Sequence, residues 1–193
     1  MVKLSTTRLL FLAIGILVLF TSCSPAPGKG TLEIRVKDHR AAIEDFAKIE
    51  IPVEAIRLKP SGSWIDLKPE LANFDLTAYK KGNSIALFSG EMEADSFEGF
   101  HLKLGKIGAV LKKGSAPVEV KNGVGPIQLS FSIEIGKPTL LIIDLEVLDL
   151  SDHAGRGYEL HMNGYEYFRD GKLIDRVPPG TRAGPARQRN HAD

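Results

Sequence analysis

The chain has 193 residues with 25 basic and 24 acidic side chains, a net charge of +1 and one cysteine. That balance lacks the clustered basic excess that phosphate binding needs, so no nucleic-acid partner is expected. One cysteine excludes an internal disulfide and a cysteine-built metal site, and the fold has to stand on its apolar core.

Lys3 and Arg8 precede the apolar run Leu9 to Phe20, after which small residues lead to Cys23. This is the grammar of a signal peptide over residues 1–22. The run of about a dozen residues is short of the roughly 20 that a permanent bilayer-crossing helix needs. Leu19-Phe20-Thr21-Ser22-Cys23 resembles the lipobox of bacterial lipoproteins, which implies cleavage before Cys23 and acylation of its sulfur. The alternative is an ordinary secretory signal cut near Ser22, which would leave an unpaired thiol in an oxidising compartment. The expected partner is therefore a membrane, held through the lipid on Cys23, in the cell envelope. Ser24, rather than aspartate, after the cysteine favours the outer membrane where a cell has two.

Cys23 and the stretch Ser24-Pro-Ala-Pro-Gly-Lys-Gly30 read as a lipidated residue and a linker over 23–30. Fully extended, that stretch spans at most about 23 Å, which keeps the domain beyond it near the membrane. Gly28-Lys29-Gly30-Thr31 lacks the earlier glycine of a phosphate-binding loop and precedes a strand instead of a helix.

From Thr31 the pattern alternates, with Leu32, Ile34 and Val36 on one face and Glu33, Arg35 and Lys37 on the other. Ile49, Ile51 and Val53 continue the theme, and the parity shift to Ile56 and Leu58 predicts a β-bulge near Ala55. Pro52 cannot donate to a ladder and predicts a sheet edge or a bulge. Alternating runs recur at Phe100–Leu104, Ile127–Ile133 and Tyr158–Met162. The start of Leu140–Leu150 is apolar on both faces, as in a central strand. Ala41–Lys48 and Pro69–Tyr79 hold a turn or two of helix at most. Residues 31–176 thus read as one all-β domain, an antiparallel β-sandwich of about seven to nine strands. The arginine- and proline-rich residues 177–193 read as a disordered tail.

The order of segments resembles a family of bacterial lipoprotein domains, the domain of unknown function 4382 (DUF4382). The resemblance is carried by Gly30-Thr-Leu-Glu-Ile-Arg-Val-Lys-Asp38 and by the Ile49–Leu58 strand followed by Trp64-Ile65-Asp66-Leu67. It continues through Phe97-Glu-Gly-Phe-His-Leu-Lys-Leu104, Leu140–Leu145 and Gly157-Tyr-Glu-Leu160, over roughly residues 30–165. It implies a secreted β-sandwich, places Trp64 on a core-covering strand and supplies no catalytic residues.

Two surface features carry candidate chemistry. Asp149, Asp152 and His153, with Asp144 and Glu146 just before them, form the densest cluster of metal-ligating side chains. Their spacing fits no ligand loop, and a solvated turn is the preferred reading. Trp64, the sole tryptophan, follows the turn Pro60–Ser63, where an indole can stack on a sugar or anchor a partner, although packing is the commoner use. His39, His101, His153, His161 and His191 show no nucleophile–base spacing. The expectation is a non-catalytic binding or assembly module for an envelope protein or glycan, without cofactor. The alternatives are an envelope hydrolase or a calcium-binding domain whose site forms only on folding.

Overall fold

A computed structural model describes residues 28–38, 42–79, 82–153 and 157–178. The stretches expected to be signal peptide, lipidated Cys23 and linker before Gly28, and the expected tail beyond Pro178, lie outside the described residues. Twelve strands succeed one another among the described residues. They are β1 (Lys29–Asp38), β2 (Phe46–Pro60), β3 (Ile65–Leu67), β4 (Asn73–Asp75), β5 (Ser84–Glu93) and β6 (Asp95–Leu104). The second half holds β7 (Ile107–Leu111), β8 (Pro117–Asn122), β9 (Ile127–Ile133), β10 (Pro138–Asp149), β11 (Tyr158–Arg169) and β12 (Lys172–Val177). Helix among the described residues is confined to the 3₁₀ turns Ala42–Asp45 and Leu76–Ala78.

The all-β class is as expected, but the strands form one mixed sheet of twelve instead of an antiparallel sandwich of seven to nine. Two pairings are parallel, β1 with β10 and β8 with β11. Alternation reveals which residues face inward but carries no information about the direction of a neighbouring strand.

β2 is the long member, and it is paired on both sides. Glu50 stands opposite Gly108 of β7 and Asp75 of β4, and Ile56 stands opposite Leu102 of β6 and Leu67 of β3. Of the two places expected for Pro52, a sheet edge or a bulge, the edge is corrected: Pro52 marks an exchange of partners inside a central strand, next to a shift of register. β7 pairs up to Glu50 and β6 takes over from Val53, while Gly105 N donates to Pro52 O at 3.0 Å. Backbone N–H and C=O of one strand residue point the same way, so the donor that proline lacks faces the break between β6 and β7. Gly105 fits there because a Cβ would lie 3.1 Å from the proline ring. The register slips between Val53 and Ala55, the bulge that the parity shift predicts.

The inward faces meet in one core that includes Leu32, Ile34, Phe46, Ile56, Phe100, Leu102, Leu141 and Ile143, all essentially inaccessible to water. Among the described residues β9 has a ladder only with β6, and its far end is fastened across the core to β10 and β11 by side chains. Tyr167 Oη donates to Ser132 O at 3.1 Å and accepts from Ser132 N at 3.2 Å, and Thr139 Oγ1 donates to the same carbonyl at 3.2 Å. Phe131 stacks on Phe97 with centroids 4.8 Å apart and meets Tyr167 edge-on at 6.1 Å. Buried backbone groups at this sheet end thus find partners without a strand beside them.

β12 is a hairpin partner lying where the sequence pattern suggests only the passage from domain to tail. Its turn is Asp170-Gly171, with φ of 51° and 72°, the left-handed pair that a two-residue hairpin needs. Tyr165 Oη donates to Asp175 Oδ2 at 2.7 Å and so clips β12 to β11, and burial with that bond pushes the phenol up to about 12. Val177 ends the strand opposite Tyr165, one residue into the stretch that reads as tail.

These contacts rank substitutions. Phe100→Ala empties a fully buried ring site and is expected to lower the free energy of unfolding by about 3–5 kcal/mol. Leu173→Ala, at a half-exposed position, is expected to stay within about 0.5 kcal/mol. Urea unfolding monitored by circular dichroism measures both, and equal losses would contradict this core.

Candidate functional site

The outer face of β2, β3 and β6 gathers chemistry from three strands. Arg57 sits in the middle, opposite Asp66 on β3 and His101 on β6. Side chains of directly opposed residues share a face, so these three project together on the side away from the core. Arg57 Nε donates to Asp66 Oδ1 at 2.7 Å, which fixes the guanidinium. The guanidinium carbon then lies 5.6 Å from the centre of the Trp64 ring. His101 meets the same indole edge-on, with centroids 6.4 Å apart at 71°.

Space for the indole comes from a glycine. A Cβ on Gly99 would lie 3.1 Å from Trp64 Cη2 and 3.1 Å from Lys59 Cβ. Gly99 stands opposite Lys59 in β2 and Gln128 in β9, so the ring reaches over a strand interior that only glycine leaves low enough. Trp64 is half-buried: it lies on the sheet's exterior, with Arg57 over its ring and His101 edge-on to it, and is not part of the core.

Charges around it are compensated but accessible. Lys103 Nζ pairs with Glu54 at 2.9 Å, with both side chains about half exposed. His101 is pushed below the ordinary histidine value, first by burial and then by the Arg57 and Lys103 charges. It is therefore a neutral imidazole near pH 7, able to donate and accept a hydrogen bond at once. A planar, weakly hydrated guanidinium beside an indole and a neutral imidazole suits stacking and hydrogen bonding to a ring or a polar backbone.

The acidic candidates behave differently. Asp149, at the end of β10, spends its carboxylate on the next turn, accepting from Ser151 N at 2.9 Å, and hydrogen bonding to Ser151 holds its pKa below the usual range. Asp152 and His153 are exposed in that turn, and His153 N donates to Leu150 O at 2.9 Å. The structure does not bring the three together as ligands, and no group of three His, Cys, Asp or Glu among the described residues is arranged to hold a metal ion. Asp144 is elsewhere, nearly buried on the outer face of β10, where Lys37 lies 3.6 Å from it and 3.4 Å from Glu166. His161 lies 3.3 Å from Glu159 on β11, beside Gly123, whose missing side chain makes room for both. His39 and His191 are outside the described residues.

Sequence reasoning singles out Trp64 and misses Arg57, Asp66 and His101 as its companions, because they are spread over different strands. The signal that could have found them is Gly99, a glycine within an alternating run, which marks a close approach.

Lowering of the His101 pKa makes stability depend on pH in a defined window. Between the folded value and about 6.5 the unfolded chain binds the proton and the folded chain does not, so stability falls as pH falls. His101→Gln is expected to flatten that decline between pH 6.5 and 5, where carboxylates contribute little. Thermal unfolding across the range reads it, and an unchanged slope would remove His101 as the source.

Among known proteins, a family model described as a domain of unknown function (DUF4382) matches residues 29–160. No curated protein and no solved structure matches the chain. The matched stretch runs from the first residue of β1 into β11 and so includes the whole Trp64 surface, and the chain belongs to the DUF4382 family.

Proposed function

We propose that the chain is an envelope lipoprotein, anchored through an acyl group on Cys23, and that it acts by binding a partner at the Trp64 surface without catalysing a reaction. The observation that carries the reading is the placement of the only tryptophan outside the core, with the Arg57 guanidinium over its ring and His101 edge-on to it. An indole that merely filled space would serve better inside, where its apolar area is removed from water. Tryptophan and arginine are also the residues that most often dominate binding energy at interfaces. The partner class that suits this surface is an envelope glycan or a protein segment with exposed polar backbone.

The anchor is supported by the basic start, the short apolar run and the lipobox-like residues before Cys23. Ser24 favours the outer membrane in a cell with two membranes.

Two experiments test the reading. Metabolic labelling with a fatty acid is expected to mark the wild-type chain and to be lost in Cys23→Ala, and label that survives the substitution refutes the anchor. Capture of envelope glycans and proteins by the acylated chain is expected to fall at least about tenfold, or roughly 1.4 kcal/mol, in Trp64→Ala and in Arg57→Gln. Undiminished capture by both folded variants refutes the binding face.

A further inference from the structure

Large apolar side chains left in water are few on this domain, and they are unevenly distributed. Among the described residues they are Ile65, Ile135, Leu173 and Ile174, at 37%, 67%, 51% and 47% exposure. Three of these lie at one end, the end through which the chain arrives from Cys23.

Hydrogen bonds define that end. Ala94 N donates to Gly28 O at 2.9 Å, Gly136 N to Lys29 O at 2.8 Å and Asp170 N to Pro138 O at 2.8 Å. The β5–β6, β9–β10 and β11–β12 turns therefore surround the entry of β1. Ile135 is at the tip of the β9–β10 turn, so close to the entering chain that a Cβ on Gly28 would collide with it. Leu173 and Ile174 begin β12 just beyond the Asp170-Gly171 turn. Leu173 stands opposite Phe168, and Phe168 opposite Leu140, so this outward row near the turns is apolar across β10, β11 and β12 and ends on β1 at Glu33, which is paired with Arg35. The next row carries Arg35, Ile142, Glu166 and Arg176.

We infer that this end of the domain is seated in the lipid surface, with Ile135 and the Leu140–Phe168–Leu173 row in the interfacial layer. The inference rests on the acylation of Cys23 proposed above. Gly28 is five residues from Cys23, at most about 18 Å when extended, so the turns cannot stand far from the lipid that holds the anchor. The apolar row lies two strand residues, about 7 Å, above the turns. That matches the depth of about 5–10 Å to which interfacial apolar faces sink. The turns carry charges of both signs, Lys29 with Glu91 and Lys137 with Glu134, and exposed Asp95, Asp170 and Lys172 beside them, so they form no cationic patch that calls for anionic lipid and apolar contact drives the seating. A flexible tether alone leaves the domain's orientation open, and this second contact fixes it.

The full acylated chain in phosphatidylcholine vesicles tests the inference, with one cysteine introduced by Ile135→Cys, Leu173→Cys or Lys113→Cys. Acylation consumes the Cys23 thiol, so each variant takes a single polarity-sensitive dye. Lys113 is the control, because β8 runs parallel to β11 and its preceding turn lies at the opposite end. A blue shift at 135 and 173, with loss of most emission to lipids brominated in their acyl chains and neither effect at 113, is the expected result. Chains that float with the vesicles yet keep water-like emission at 135 and 173 overturn the inference and leave the anchor standing. Wild-type chain that fails to float overturns the anchor and this inference with it.

Discussion

Fifteen consecutive residues of extended backbone carry more donors and acceptors than short neighbours can satisfy, and β2 meets that demand by changing neighbours along its length. Its first third is laddered to β7 and β4, and its last to β6 and β3. The exchange falls at Pro52, the residue with no donor to lose, and the bulge just beyond it bends the strand. Everything else is arranged about that joint. The β6–β7 strand breaks at Gly105 opposite it, β8 and β9 continue from the two pieces, and β8 passes the sheet on to β11. With no disulfide to close the domain, closure comes from side chains such as Tyr167, whose hydroxyl stands in for the missing strand beside Ser132.

The same geometry explains why the candidate site is where it is. Beyond the bulge β2 has β6 on one side and β3 on the other, so a residue in this stretch has a neighbour on each flank. Arg57 is that residue, held by Asp66 on one flank and next to His101 on the other. Its fixed guanidinium then limits where the indole rests, and Gly99 leaves the space. Rotamers held by neighbours bind with less loss of freedom than long side chains waving in water.

Much of this is legible in the unfolded chain. The faces of β1, β9, β10 and the start of β11 follow from period-two alternation, and the slip from Val53 to Ile56 betrays the bulge. Three things are hidden. Strand direction leaves no periodic trace, so the parallel β1–β10 pairing cannot be read. β3 and β4 are three residues each, too short for any pattern. β12 resembles the approach to a polar tail, although Asp170-Gly171 is a strong hairpin signal that precedes it. The candidate site is half legible: an indole is conspicuous in a sequence, whereas companions on other strands are set by register alone. The acidic residues after Asp144 mislead for the opposite reason, since closeness in sequence suggests convergence and Asp149 instead serves its own turn.

The parallel pairing of β1 with β10 has a mechanical consequence. A pull on the residues ahead of Gly28 runs along β1, whose ladders extend from Thr31 to Asp38 against β10 and from Lys29 to Lys37 against β5. Load applied in that direction shears two rows of hydrogen bonds together instead of opening one pair at a time from an end. A hairpin strand pulled from its open side would unzip under a small force. With the proposed anchor at Cys23, β1 is thus the strand that would take such traction, and its two ladders place it well to resist it.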